Sequence, residues 1–226
     1  MDKNEKHIRY AYEGKIVQAY KASGNTMGWR FLSSPTQTLM GARVAFIGLN
    51  PGGSEHDNNH GEFAMPPGKS AYRDESWAGR NQGESKLQKQ VLALFDRLDE
   101  KPEDVLSGNL VPFRSPNWAS LKGSQKAIEF GEELWRDVLR KARPSLVVTM
   151  GAEARDSVCR LLQIRNVRKT MVGWGNITAS KGKFSGGTFV GLPHLSRFGI
   201  LERPESSPYL DELFGSKRTS TVRLSS

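Results

Sequence analysis

The stretch "RVAFIGLNPGGSEHD", residues 43–57, decides how the chain is read. Its apolar run, "VAFIGL", has the length and composition of a buried strand. The run ends at Asn50-Pro51-Gly52-Gly53. A proline and two glycines stop the strand sharply and leave an asparagine at its tip. Taken alone, "GLNPGG" is equally a tight turn in which the asparagine satisfies its own backbone. It is not a Walker phosphate loop, because no Gly-Lys-Ser/Thr follows, and it lacks the third glycine of a dinucleotide fingerprint.

Outward from this strand, the pattern alternates. Residues 8–22 carry a weak helical pattern through Ile8, Tyr12, Ile16, Val17 and Tyr20, and residues 23–42 read as loop. A polar segment rich in Gly, Pro and Asn covers residues 51–84, a length that in a compact domain tends to be functional. Helices are expected at about 85–98, at 124–142 with Ser124 as cap, and at 152–164. Further strands are expected at 108–113, 144–151 and 186–193, and a short last helix at 207–214. Short apolar strands separated by helices predict a three-layer α/β/α fold around a central, four-stranded, mainly parallel sheet. Residues 1–215 form the single expected domain, and residues 216–226 a disordered basic tail.

In such sheets ligands bind beyond the carboxyl ends of the strands. The residues found there are Asn50-Pro51-Gly52, Phe113-Arg114-Ser115, Gly151-Ala152-Glu153 and Pro193-His194-Leu195-Ser196-Arg197. Asn50 therefore stands on the rim where chemistry is done. In the last group, Leu195 between polar neighbours is expected to be an exposed apolar wedge suited to a base stack; the alternative is an ordinary loop with a solvated His and Arg.

Composition narrows the class. The 226 residues carry a formal charge of +9 and a pI near 9.7, a field that attracts polyanions. Basic residues cluster at 140–143, 165–169 and 216–223. No run of 18 apolar residues is present, so no membrane span is expected, and "MDKNEKHIRYAYEGK" has no apolar core of a signal peptide. A cytoplasmic protein is the expectation. The one cysteine, Cys159, excludes an internal disulfide and any Cys-based zinc or iron–sulfur site, and is expected to be a buried structural thiol. His56, Asp57 and His60 have zinc-like spacing only on a helix, which the flanking "GGSEHDNNHG" disfavours. No metal or other cofactor is expected.

Five motifs in order resemble the uracil-DNA glycosylase superfamily. Gly48-Leu49-Asn50-Pro51-Gly52 resembles the Gly-Ile-Asn-Pro-Gly motif of the mismatch-specific uracil/thymine branch, and Leu195-Ser196-Arg197 the Leu-Ser-Arg end of that branch's second motif. "FAMPP" (63–67) resembles the stretch that carries the base-stacking aromatic. "NLVPFRSPN" (109–117) and "LVVTMGAEA" (146–154) resemble stretches of the thermophilic branch. The similarity spans residues 43–200.

The resemblance implies a monofunctional DNA glycosylase that flips a uracil-like or modified pyrimidine from single- or double-stranded DNA and leaves an abasic site. It implies Asn50 as the holder of the attacking water, Phe63 as the stacking ring and Asn109 as reader of the base edge. Gly48, Leu49, Pro51 and Gly52 would line the base pocket, while Gly53, Leu195, Ser196 and Arg197 would contact DNA. The chain departs from the pattern in three ways. Asn50 stands where the fastest relatives have an aspartate. Gly191 aligns with a catalytic His or Asn, and His194, three residues later, is expected either to take over that role or to contact a DNA phosphate. The iron–sulfur cysteines of the thermophilic branch are missing. Glu55, Asp57 and Glu62 are candidate carboxylates in the loop. Trp77 and Trp118 are read as partly packing, and Trp174 as packing or base-stacking. The length and polarity of residues 51–84 suit a pocket for an enlarged pyrimidine, such as a hydroxymethylated or glycosylated cytosine of phage DNA. No membrane or obligate protein partner is implied. Two other readings stay open: a nucleic-acid-binding module of the same fold without chemistry, and a nucleotide-binding hydrolase or transferase.

Overall fold

Five consecutive buried residues, Val44–Gly48, make a strand covered on both faces, and everything else is arranged around it. The structure is a computed structural model that describes residues 3–53 and 61–216. In chain order its strands are β1 (Trp29–Arg30), β2 (Val44–Gly48), β3 (Gly61–Glu62), β4 (Leu106–Asn109), β5 (Leu146–Met150), β6 (Arg168–Met171), β7 (Thr178–Phe184) and β8 (Gly187–Leu192). Its helices are α1 (Lys3–Ser23), α2 (Ala71–Asp74), α3 (Lys86–Arg97), α4 (Ser124–Ala142), α5 (Ala152–Leu161) and α6 (Ser207–Phe214).

The central sheet has six strands in the order β4-β2-β5-β8-β7-β6. The four expected strands are its parallel part, β4-β2-β5-β8. Two more, β7 and β6, extend it antiparallel. This pair, "RKTM" and "TASKGKF", is absent from the sequence reading because lysines and a glycine mask the alternation. β4 also begins two residues earlier than expected and ends at Asn109. The segment beyond it stays extended but leaves the sheet: Arg30 N–H bonds the Pro112 carbonyl at 2.8 Å. Residues 23–42, read as loop, contain β1 and a 3-10 turn at Thr36–Met40. β3 and α2 lie within the polar segment.

The pleat of β2 sends its side chains to two cores. Ala45 and Ile47 join Phe31, Trp135 and Val158 under α1, α4 and α5. Val44 and Phe46 join Val91, Phe95 and Leu210 under α3 and α6. A sheet with apolar clusters and helices on both faces is a three-layer α/β/α fold. Ser85 and Gln88 form a capping box at the start of α3, and buried Gln88 also donates to the carbonyls of Ala71 (3.1 Å) and Glu75 (2.7 Å). One amide thus ties α3 to the end of the polar segment. Cys159 is half-buried rather than fully buried, its thiol pushed up by desolvation. No helix among the described residues is long and apolar enough to cross a membrane.

The connections place the site. From β2 the chain passes to β4 on one side, then returns past β2 to β5 and β8 on the other. The tip of β2 is therefore a topological switch point, where strand order leaves a crevice at the sheet's carboxyl edge.

Candidate active site

Asn50 lies just past β2, at that switch point. Its Nδ2 donates to Ser115 Oγ at 2.8 Å and to the Pro51 carbonyl at 3.2 Å. Ser115 Oγ itself donates to the Asn117 carbonyl at 2.8 Å. With its only proton committed there, the hydroxyl must accept from Asn50. The amide orientation is thereby fixed: nitrogen toward Ser115, oxygen away. Among the described residues the Asn50 carboxamide oxygen has no partner. The backbone around it is equally held. Ser115 N–H reaches the Pro51 carbonyl at 3.3 Å, Arg114 Nε the Gly52 carbonyl at 3.2 Å, and Val111 N–H the Leu49 carbonyl at 2.9 Å.

Asn109 is the register partner of Gly48 on the neighbouring strand. Its carbonyl accepts from Trp135 Nε1 at 2.8 Å, while its side-chain amide makes no hydrogen bond among the described residues. That amide lies over Gly48: a Cβ there would sit 2.6 Å from Asn109 Oδ1 and 3.7 Å from Met150 Cε. Gly48 is small so that Asn109 can lie across the crevice floor. On the other side, Gly151 ends β5 with φ +94°, and a Cβ there would stand 4.0 Å from His194 Cδ2. The rim thus runs Asn109, Gly48, Gly151, His194, in the order of the strands beneath them.

His194 is exposed, and its Nδ1 lies 2.8 Å from Ser196 Oγ. Partial burial and then the charge of Arg197 hold its pKa below the ordinary histidine value, with Glu153 pulling the other way. Burial and Arg197 both favour the neutral ring. When Ser196 donates to Nδ1, the ring proton sits on Nε2, a neutral donor at the rim.

Several expected roles meet a different structure. Leu195 is not an exposed wedge: it is 0% exposed and joins the core cluster of Leu192 and Ile200. The turn that shows His194 and Arg197 to solvent drives Leu195 inward as its plug. Phe63 is 1% exposed, its ring 5.5 Å from Phe31 and 5.7 Å from the Arg9 guanidinium of α1. No base can stack on it until a neighbour gives way. The Ser196 hydroxyl is turned to His194 rather than left free for a phosphate. Glu62 is bound by Arg30, which also holds Glu75 through two 2.6 Å contacts. Trp77 donates to Glu75 at 2.8 Å, Trp118 packs at the edge of a core, and Arg203 covers Trp174 at 4.8 Å. Gly191 is buried in β8 against Arg155. Arg197 is exposed, and Gly53 lies partly exposed at the end of the anchored turn. Glu55, His56, Asp57, His60 and the tail from residue 217 lie outside the described residues. Among the described residues no group of three or more His, Cys, Asp or Glu could hold a metal ion.

Ser115 and Gly151 are the residues that sequence reasoning left without a role. Gly151 directly follows β5, and Ser115 follows the extended segment 108–113 that the sequence marks as a strand, which is the one signal that pointed to them. Chemically, the rim offers an oriented amide oxygen, an amide without a partner among the described residues that both donates and accepts, and an imidazole, side by side along the sheet's carboxyl edge.

No curated protein matches the chain. A profile of the uracil DNA glycosylase superfamily matches residues 35–214, well over half of the 226 residues, and includes every rim residue described above. The chain belongs to the uracil DNA glycosylase superfamily, whose members are DNA glycosylases acting on DNA.

Proposed function

We propose that the chain is a monofunctional DNA glycosylase that hydrolyses the N-glycosidic bond of a pyrimidine nucleotide swung out of DNA. One observation carries this reading: the Asn50 amide is fixed so that its oxygen has no partner among the described residues at the switch point. A water that donates to that oxygen has its lone pair turned outward, toward a sugar seated in the crevice. An amide is too weak a base to take the proton, so Asn50 works by positioning. The bond from C1′ to the base nitrogen breaks with its electron pair on the base, the water oxygen bonds to C1′, and its proton passes to solvent water, from which the released base is protonated. The departing base is an anion. The neutral Nε2–H of His194 is suited to donate to it, and Asn109 to pair with its polar edge.

Base release needs no amine nucleophile in this scheme, so the product is an abasic site without strand cleavage. An alkaline-cleavage assay on DNA oligonucleotides tests it: the expected result is strand breaks only after alkali, in the absence of metal. No breaks on any modified pyrimidine would leave a DNA-binding module without chemistry, a reading favoured by the buried Phe63 and by Gly191 at the aligned catalytic position.

The substrate class we infer is an enlarged pyrimidine. Support comes from the length and polarity of residues 51–84. A panel of oligonucleotides with one modified base each decides this; turnover confined to uracil rejects it.

A further inference from the structure

A concave basic surface lies away from the rim. It lies on the β6–β7 edge of the sheet, where an open groove of about 630 Å³ is lined by Arg165, Arg168, Lys181, Lys183 and Glu212 among others. A second hollow of about 340 Å³ adjoins it through shared Gln163 and Arg165, and adds Arg160. The register fixes the location. Lys183 pairs with Thr188, at the start of β8, whereas His194 follows its end at Leu192. Lys183 stands four residues and Lys181 two residues before the level of Leu192, ~13 and ~7 Å at ~3.3 Å per residue, and β6 is the edge strand, two strands away from β8.

Five cations meet there, and the acids present do not balance them. Glu212 pairs with Arg168, and its backbone carbonyl takes Lys181 Nζ at 2.7 Å. Glu132 takes Arg160. Lys183 has only a hydroxyl, Thr188 Oγ1 at 3.2 Å, and Arg165 has no ion pair among the described residues. The Lys181 ammonium is held below its ordinary pKa by burial and by Lys183 and Arg168, so like charges already crowd one another. An anion entering the groove relieves that repulsion. A row of cations along an open trough suits a row of phosphates better than a single small anion, and the neutral amides of Gln163 and Asn166 between them can bond sugar and phosphate oxygens.

We propose that this groove is a second, non-catalytic binding site for the phosphodiester backbone of nucleic acid. It does not rest on the glycosylase chemistry. Because the groove lies on the β6–β7 edge of the sheet, away from the rim, a protein holding one DNA segment at the rim keeps a free site for another. Two segments are then bridged, which lets the protein pass between them.

The test uses the full chain and two short duplexes, carrying a donor and an acceptor dye and no modified base. The wild type is expected to bring the dyes together at low salt. Arg165→Glu with Lys183→Glu is expected to abolish that signal and to flatten the plot of log K against log salt by about 2. Single-turnover base release from a short oligonucleotide is expected to stay unchanged. Should the double variant not fold, Arg165→Gln, in the connection between α5 and β6, is expected to flatten the slope by about 1. Absence of bridging by the wild type, or bridging and slope unaltered in the variants, overturns the proposal. Neither readout depends on base release, so a protein that bridges DNA without cutting a glycosidic bond fails only the functional reading.

Discussion

The two turns that flank the crevice are built in opposite ways. The Asn50 turn is sewn to a distant part of the chain: Asn50 reaches Ser115 across 65 positions, and Gly52 reaches Arg114 across 62. The His194 turn is closed mainly on itself. Arg197 and Phe198 N–H return to the His194 carbonyl at 2.9 and 3.0 Å, Ser196 meets the His194 ring, and Leu195 plugs the turn into the core. Its long-range polar tie is Lys86 to the Arg197 carbonyl, 3.0 Å and exposed. The difference fits the two tasks proposed for them. A group that aims a water must be preorganised, because a misplacement of about 1 Å costs about 100-fold in rate. A turn that meets a phosphate backbone gains from presenting charge on a piece that can adjust while one apolar anchor keeps its place.

The comparison predicts where each turn breaks. Asn50→Ala removes the amide oxygen and should lower single-turnover base release by about 10³-fold while DNA binding survives; full activity in this variant overturns the water-positioning role. Leu195→Ala should instead act on stability. It empties a buried site and should cost about 2–5 kcal/mol, seen as a lower melting temperature. A variant that melts like the wild type but no longer distorts DNA would restore the wedge role that the buried position denies. Gly48→Ala is expected to push the Asn109 amide aside, since the clash at 2.6 Å is with the end of a side chain rather than with backbone. The fold should survive, and KM for the target oligonucleotide should rise about 10-fold, the loss of roughly one hydrogen bond. Ser115→Ala leaves the Asn50 nitrogen with the Pro51 carbonyl alone and lets the amide turn over; a several-fold fall in the chemical step at unchanged DNA affinity is the expected result, and an unchanged step shows that Pro51 suffices.

These residues also show what was legible in the chain and what was not. β2, β5 and β8 were readable because each is mostly buried and carries a short apolar run, broken only by Thr149 in β5 and by Thr188 and glycines in β8. α3, α4 and α6 were readable from their apolar stripes and stop signals. β6 and β7 were not, because a strand near a sheet edge can hold lysines, and the partner that makes it a strand is remote in sequence. Asn50 and His194 could be placed because a strand end followed by Pro or Gly marks the rim, whereas Asn109 came from the resemblance alone, since the strand was read as 108–113 and in fact ends at Asn109. Ser115 could be placed there too, but its contact with Asn50 is a tertiary fact that no local pattern carries. Leu195 was misread for a physical reason: an apolar residue between polar ones looks the same whether its turn shows it or buries it. Phe63 was read from its motif alone, and the packing of α1, which lies outside the matched residues 35–214, could not enter.

The smallest expected effect probes the self-contained turn. His194 is kept neutral first by partial burial and then by Arg197, against a weaker pull from Glu153. Since its pKa in the folded chain lies below that of the unfolded chain, the fold binds fewer protons. Its contribution to stability is full above the ordinary value of about 6.5 and is lost as pH falls through the folded value. Replacing Arg197 by Ala removes the cation but leaves the burial. The His194 titration, followed by its ring-proton NMR signal, should move upward toward the unperturbed value without reaching it. A turn held as the Asn50 turn is held would fix the Arg197 charge near the ring, and the shift would be full and weakened little by salt. A turn that adjusts lets the arginine swing into solvent, so the shift should shrink as salt screens it over about 10 Å at 0.1 M. A titration that moves equally at low and high salt would show that the two turns are, after all, equally rigid.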